Sequence, residues 1–215
     1  MSAKAKICGI NSREALDAAL EGGAAYVGLV FFPKSPRNVS TIVAADLADQ
    51  ARGKTKIVAL VVDADDAALA EIVEGVRPDF LQLHGHESPA RVETIERLFR
   101  IPVIKAIAVA NAADVALADA YRNVADLVLF DAKAPRGAAL PGGNGLAFDW
   151  SALEDRRGTT FMLSGGLTPE NVADAIRQTG AQAVDVSSGV ESAPGVKDPM
   201  MIRRFLDATK EAKQN

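Results

Sequence analysis

At 215 residues the chain can hold one α/β barrel or two smaller domains, and its 48% hydrophobic content is enough for a sizeable core. A net charge of −4 with no long run of one sign excludes a basic face for nucleic acid, though not a small anionic ligand held by local groups. A single cysteine excludes an internal disulfide, and no apolar run approaches the roughly 20 residues of a membrane helix, so a cytoplasmic protein is expected, without a signal peptide in MSAKAKICGINSREALD and with no membrane partner.

In chain order, short β-rich runs alternate with alanine-rich segments whose apolar residues fall three and four apart. KAKICGI (4–10) precedes SREALDAALEGG, and YVGLVFF (26–32) precedes TIVAADLADQARG. KIVALVV (56–62) leads to DAALAEIVEGV, DFLQLHG (79–85) to PARVETIERLF, and PVIKAIA (102–108) to AADVALADAYR. DLVLFDA (126–132) is followed by a long loop and FDWSALED, TTFMLSG (159–165) by PENVADAIRQTG, and AVDVSSG (183–189) by DPMMIRRFLDATKEA. Each pair reads as strand then helix. Parallel strands need crossover connections, so eight such units predict a closed (β/α)8 barrel. With no linker or composition break, residues 1–215 are expected to form one domain. An open doubly wound sheet would carry G-x-G-x-x-G after the first strand, where CGINSRE stands instead.

Catalysis in such barrels sits at the C-terminal ends of the strands. Side chains alternate along a strand, which predicts Cys8 pointing inward on strand one, Gln82 and His84 on strand four, and Val103, Lys105 and Ile107 on strand five. The same parity sends Asp131 inward on strand six and Asp185 on strand eight. Alone, Cys8 reads as a small buried hydrophobe and Asp131 as a turn residue. As a pair at matching strand ends they read as a thiolate base and a carboxylic acid.

LSGGLTPENV (163–172) passes from strand through a Gly-Gly turn into a helix, with Thr168 expected at its N-cap, and DVSSGVE (185–191) is a second glycine-bearing strand end. These loops follow strands seven and eight, where barrels often bind phosphate. FFPKSPRNVS (31–40) presents Lys34 and Arg37, and by itself reads as a solvated cationic loop. His84 and His86 in LHGHE lack partners for a metal shell, so no metal is expected, with His84 beside the site and His86 in the loop. APRGAALPGGNGLAFDW (134–150) is long enough for a lid.

Taken together, KICGI, GLVFFPKSPRNVS, LQLHGHE, LFDAKAP with GGNG and FDW, LSGGLTPENV and DVSSGVES-x-PGVKD resemble the phosphoribosylanthranilate isomerase family of tryptophan biosynthesis, in order from residue 6 to residue 198. The resemblance implies a cofactor-free Amadori rearrangement on a TIM barrel. It makes Asp131 the general acid, Cys8 the general base and Arg37 the grip on the anthranilate carboxylate. It places phosphate on Gly165, Gly166, Ser188 and Gly189 and Asp185 near the bound sugar, and His84, beside the site by its own position, is expected to touch the substrate as well. Asn144 departs from the serine or threonine expected there. The implied partner is a small phosphorylated substrate, and a monomer or homodimer is expected. A histidine-pathway isomerase would have an aspartate in place of Cys8, and a metal-dependent epimerase a fuller ligand set around His84. A non-catalytic phosphate binder would not need both acid and base.

Overall fold

β-branched and aromatic residues favour extended backbone, and here they occur in runs most of which end at a glycine, serine or proline turn. In the computed structural model, which describes residues 3–135, 137–138, 140, 142–143, 145 and 147–212, these runs form β1 (Lys4–Cys8), β2 (Tyr26–Phe31), β3 (Lys56–Val61), β4 (Phe80–Leu83), β5 (Val103–Val109), β6 (Leu127–Ala132), β7 (Met162–Leu163) and β8 (Ala183–Val186). All eight pair in parallel and in sequence order. β1 also pairs with β8, with Lys6 opposite Asp185, so the sheet closes into a (β/α)8 TIM barrel.

The crossovers are α1 (Arg13–Glu21), α2 (Thr41–Ala51), α3 (Asp66–Val76), α4 (Pro89–Phe99), α5 (Ala112–Ala116), α6 (Val172–Thr179) and α7 (Pro199–Glu211). Ser12, Ser40, Asp65, Ser88, Asn111 and Asp198 each cap a helix by accepting a first-turn N–H with the side chain. Thr168 does not cap α6. Its hydroxyl accepts the Glu170 N–H in a turn that precedes the helix, and α6 starts at Val172. FDWSALED forms a 3₁₀ helix, Trp150–Arg156, rather than an α-helix, and α5 continues as 3₁₀ over Leu117–Tyr121. A hairpin of β9 (Glu191–Ala193) and β10 (Val196–Lys197), not expected from the sequence, follows β8. No helix among the described residues is long and apolar enough to cross a membrane.

The barrel interior is layered. Val58, Ile104, Ala106, Leu129, Met162 and Ala183 fill its lower part. Cys8, Val30 and Leu60 pack together near the top. Between and above them lie the buried polar groups Lys6, Gln82, Asp131 and Asp185. Outside the strands, Ile7, Val27, Ile57, Leu81, Phe130 and Val184 join the helix faces in one large core.

The inward parity holds for strands one, four, six and eight but not for strand five. Val103 and Ile107 belong to the core between sheet and helices, while Ile104 and Ala106 face inward. Lys105 shares the outward face, and its ammonium donates to the carbonyls of Leu83 (3.2 Å) and Gly85 (2.8 Å) and to Glu87 (2.9 Å). A strand buried on both faces is apolar on both, so its period does not say which face is which. Lys105 and Glu87 are both nearly inaccessible. Breaking a buried pair from one side leaves an uncompensated charge. Lys105→Met should lower the unfolding free energy by about 3 kcal/mol or more in urea denaturation. A loss under about 1 kcal/mol would show that Glu87 is satisfied by the Asp63 and Gly85 N–H groups alone.

Candidate active site

β1 delivers its side chains to the barrel mouth and stops at Gly9, whose φ of +80° is left-handed. A Cβ there would lie 2.7 Å from Arg37 Cδ, so the absence of a side chain lets the arginine lie over the end of the strand. Cys8 is free and buried. Lys6, two residues earlier on the same face, is completely buried, and its ammonium meets Asp185 at 3.0 Å. Gly28 on β2, the register partner of Cys8, makes room for both. A Cβ at Gly28 would sit 3.0 Å from the Cys8 sulfur and 3.0 Å from Lys6 Nζ.

Burial pushes the Cys8 thiol up from its ordinary value, and the Lys6 ammonium opposes the shift without cancelling it. Burial alone would lower Lys6, but the charge of Asp185 and the neighbouring sulfur outweigh it and hold the amine protonated.

Asp131 reaches the mouth from the end of β6. Its Oδ1 accepts the Ala132 N–H at 3.0 Å, and its Oδ2 lies 3.1 Å from His84 Nε2. Gln82 presents its amide nitrogen to His84 Nδ1 at 2.9 Å. An amide N–H must donate, so Nδ1 accepts and the imidazole proton sits on Nε2, directed at Asp131. The Gln82 Oε1 is buried and has no partner among the described residues. His84 is thus tied to the carboxyl group as well as bordering the cleft. His86 points to solvent and bonds Asp63. Among the described residues no cluster of His, Cys, Asp and Glu could hold a metal ion.

Arg37 is buried, not solvated as the loop sequence alone suggests. Its Nε donates to Glu191 Oε1 (2.7 Å) and its Nη2 to Glu191 Oε2 (2.9 Å). Glu191 also takes Lys197 Nζ at 2.7 Å. Burial would raise the Glu191 carboxyl, but its two cationic partners hold it below its ordinary value. Burial lowers Lys197, against the pull of Glu191.

On the far rim, Gly165 and Gly166 are left-handed, at φ +91° and +62°. A Cβ on Gly165 would sit 2.5 Å from the Ala132 nitrogen, and one on Gly189 would overlap the Leu167 carbonyl. Among the described residues the N–H groups of Gly165, Gly166, Ser188 and Gly189 donate to no other protein group, as an anion-binding rim requires.

One cleft gathers Cys8, Arg37, His84, Asp131, Gly165, Gly166, Asp185, Ser188 and Gly189, while Lys34, Gln82, His86 and Lys105 do not line it. Its volume is about 790 Å³, counting space open to solvent. Leu140, Gly142, Gly143 and Gly145 of the long loop also border it, while Asn144 lies outside the described residues. Sequence reasoning missed Lys6, Glu191 and Lys197 as parts of the site. Lys6 shared the parity of Cys8, and the Pro-Gly between Glu191 and Lys197 marked a turn.

Residues 5–208 match the family model for N-(5′-phosphoribosyl)anthranilate isomerase. The chain is 60% identical over 206 residues to the enzyme of that name from Rhodopseudomonas palustris strain BisA53, covering 95% of this chain and 94% of that one. It superposes with a TM-score of 0.86 on the crystal structure of phosphoribosyl anthranilate isomerase from Thermotoga maritima, at 37% identity over 97% of this chain and 98% of that one. A crystal structure of such an isomerase in complex with reduced 1-(o-carboxyphenylamino)-1-deoxyribulose 5-phosphate matches with a TM-score of 0.84 and 35% identity, over 97% and 98% of the two chains. With its sequence, barrel and cleft all in agreement, the chain belongs to the N-(5′-phosphoribosyl)anthranilate isomerase family.

Proposed function

We propose that Asp131 and Cys8 are the acid and base with which this isomerase converts N-(5-phosphoribosyl)anthranilate to 1-(2-carboxyphenylamino)-1-deoxyribulose 5-phosphate. The observation that carries the assignment is the meeting of a buried thiol from β1 and a buried carboxyl from β6 in one cleft. The barrel order β6-β7-β8-β1 sets them across the mouth from each other.

Asp131 gives its proton to the ribose ring oxygen as the C1′–O bond breaks, and the anthranilate nitrogen supplies the electrons that form the iminium. The Cys8 thiolate then removes the proton from C2′, and the C–H electrons flow toward nitrogen to give the enolamine. Tautomerisation to the ketone moves a proton from the C2′ hydroxyl to C1′. The cycle ends when Cys8 releases one proton and Asp131 regains one, so none is consumed. After transfer, the new carboxylate at Asp131 faces the Nε2–H of His84 and the Ala132 N–H, both oriented to stabilise it. Lys6, beneath Cys8 on the same strand, stabilises the thiolate. Phosphate rests on the glycine-rich rim, and Arg37 takes the carboxylate. A thiol base and a small phosphorylated substrate fit a reducing cytoplasm.

Replacing each group tests its role. Cys8→Ser and Asp131→Asn should each lower kcat by about 10²–10⁴-fold in a fluorescence assay following loss of substrate with chelator present. Near wild-type kcat in both would remove them from the mechanism.

The raised thiol pKa has a pH signature. A base acts deprotonated, so a raised pKa delays its activation to higher pH. Because Cys8 is the single cysteine, alkylation by iodoacetamide reads it directly. The rate should climb with pH with a midpoint above that of an ordinary cysteine, and Lys6→Met should move it higher still. A midpoint below the ordinary value would mean that the ammonium outweighs burial.

Gly189→Ala should raise KM for the phosphorylated substrate at least about tenfold, because the added methyl displaces the Leu167 carbonyl and opens the rim. An unchanged KM would move the phosphate elsewhere.

A further inference from the structure

We propose that Glu191 is the positioning residue that aims Arg37 at the substrate carboxylate and so sets the preference for a carboxylate-bearing aromatic amine. The inference rests on the reading of Arg37 given above. It starts from an asymmetry in the guanidinium. The Nε–Nη2 edge is filled side-on by both oxygens of Glu191, at 2.7 and 2.9 Å. The remaining contact of Nη2 is a 3.4 Å approach to the Gly143 carbonyl. Nη1 has no hydrogen-bond partner among the described residues, and Arg37 borders the cleft. A Cβ on Gly143 would come within 2.8 Å of Nη1, so the loop glycine leaves that nitrogen open.

Glu191 is itself held from two further directions. Lys197 Nζ donates to Oε1 at 2.7 Å and the Gly195 N–H to Oε2 at 3.2 Å. The hairpin that carries it is docked against the substrate loops. Asn11 Nδ2 donates to the Gly195 carbonyl at 2.9 Å. Gly195, left-handed at φ +81°, sits where a Cβ would be 2.6 Å from the Pro36 carbonyl oxygen, one residue before Arg37. Lys197 continues to the Ser187 carbonyl (2.9 Å) and hydroxyl (3.3 Å), and that hydroxyl donates to the Cys8 carbonyl at 3.1 Å. One polar chain therefore runs from the strand of the base to the arginine.

The charges explain why this favours a carboxylate. Two cations on one carboxylate leave one positive charge, the complement of one carboxylate on the ligand. A free arginine side chain loses several rotors on binding, whereas one already clamped along one edge loses few. The clamp also fixes which edge is offered, and a carboxylate is recognised through directional N–H donors.

The test measures dissociation constants by calorimetry for two ligands: reduced 1-(o-carboxyphenylamino)-1-deoxyribulose 5-phosphate and its counterpart without the ring carboxylate. The wild type should prefer the carboxylate-bearing ligand by at least about tenfold, the worth of one charge-assisted contact. Arg37→Ala should erase the preference. Glu191→Gln should erase most of it while binding the other ligand within about threefold of wild type, a split that general loosening of the fold would not produce. Glu191→Asp keeps the charge but draws the carboxylate back by one methylene, and it should also lose preference, which keeps the test decisive if Glu191→Gln does not fold. A wild-type or larger preference in the Glu191 variants, beside a collapse in Arg37→Ala, would overturn this inference alone. A preference surviving Arg37→Ala would overturn the Arg37 reading and this inference with it.

Discussion

A buried ammonium cannot remain charged without a partner, and in this barrel that requirement joins the closure of the fold to its chemistry. Lys6 is fully buried on β1, and Asp185 faces it from β8 in direct register. Their 3.0 Å contact spans the seam where the last strand meets the first. Sliding β8 by one residue would turn Asp185 outward and leave Lys6 alone in an apolar interior, so the pair specifies the register as well as crossing the seam. It also sets a positive charge beneath Cys8. Gly28 is part of the same arrangement, because any side chain there would displace both the sulfur and the amine.

The upper barrel is less apolar than a core built for stability alone. Lys6, Arg37 and Lys197 are buried against the carboxylates of Asp185 and Glu191, and Asp131 has only the imidazole of His84 and a backbone N–H. Burying these groups costs free energy that the lower barrel and the sheet–helix layer must offset. The return is a mouth with fixed dipoles and a surplus of positive charge. Three cations face the carboxylates of Asp185 and Glu191 there, and groups held this way need little rearrangement as charge moves within the cleft.

The eight strands and most helices were legible in the sequence because each carries its own period and its own stop, and serine or aspartate caps mark where many of the helices begin. Cys8, Asp131 and Asp185 were legible by parity because they lie at or one residue before the ends of strands whose other face is plainly apolar. Strand five was misread because Val103, Lys105 and Ile107 alternate with residues equally suited to burial, and the destination of Lys105 depends on Glu87 in the next loop, a tertiary fact. The 3₁₀ form of Trp150–Arg156 has no distinct periodic signal over seven residues, where Leu153 is fully buried and Trp150 and Ala152 pack partly against the core. Glu191 and Lys197 were passed over because a charged pair flanking Pro-Gly reads as an exposed turn. Only the docking of that turn onto Pro36 and Asn11 carries both charges inside.

The paired glycines of the long loop bring Asp131 and Arg37 under one stretch of backbone. Gly142 lies so close to Asp131 and His84 that a Cβ would overlap the Asp131 Oδ2 and approach His84 Nε2, and Gly143, left-handed at φ +71°, lies as close to Arg37. Bare backbone can approach the Asp131 carboxyl and the Arg37 guanidinium without filling the space beside them, which a side chain at either position would do. Two consecutive residues thus lie against Asp131 and Arg37. Because the two glycines share a peptide bond, a displacement of the backbone over Asp131 carries over to Arg37, so both side chains depend on one piece of cover.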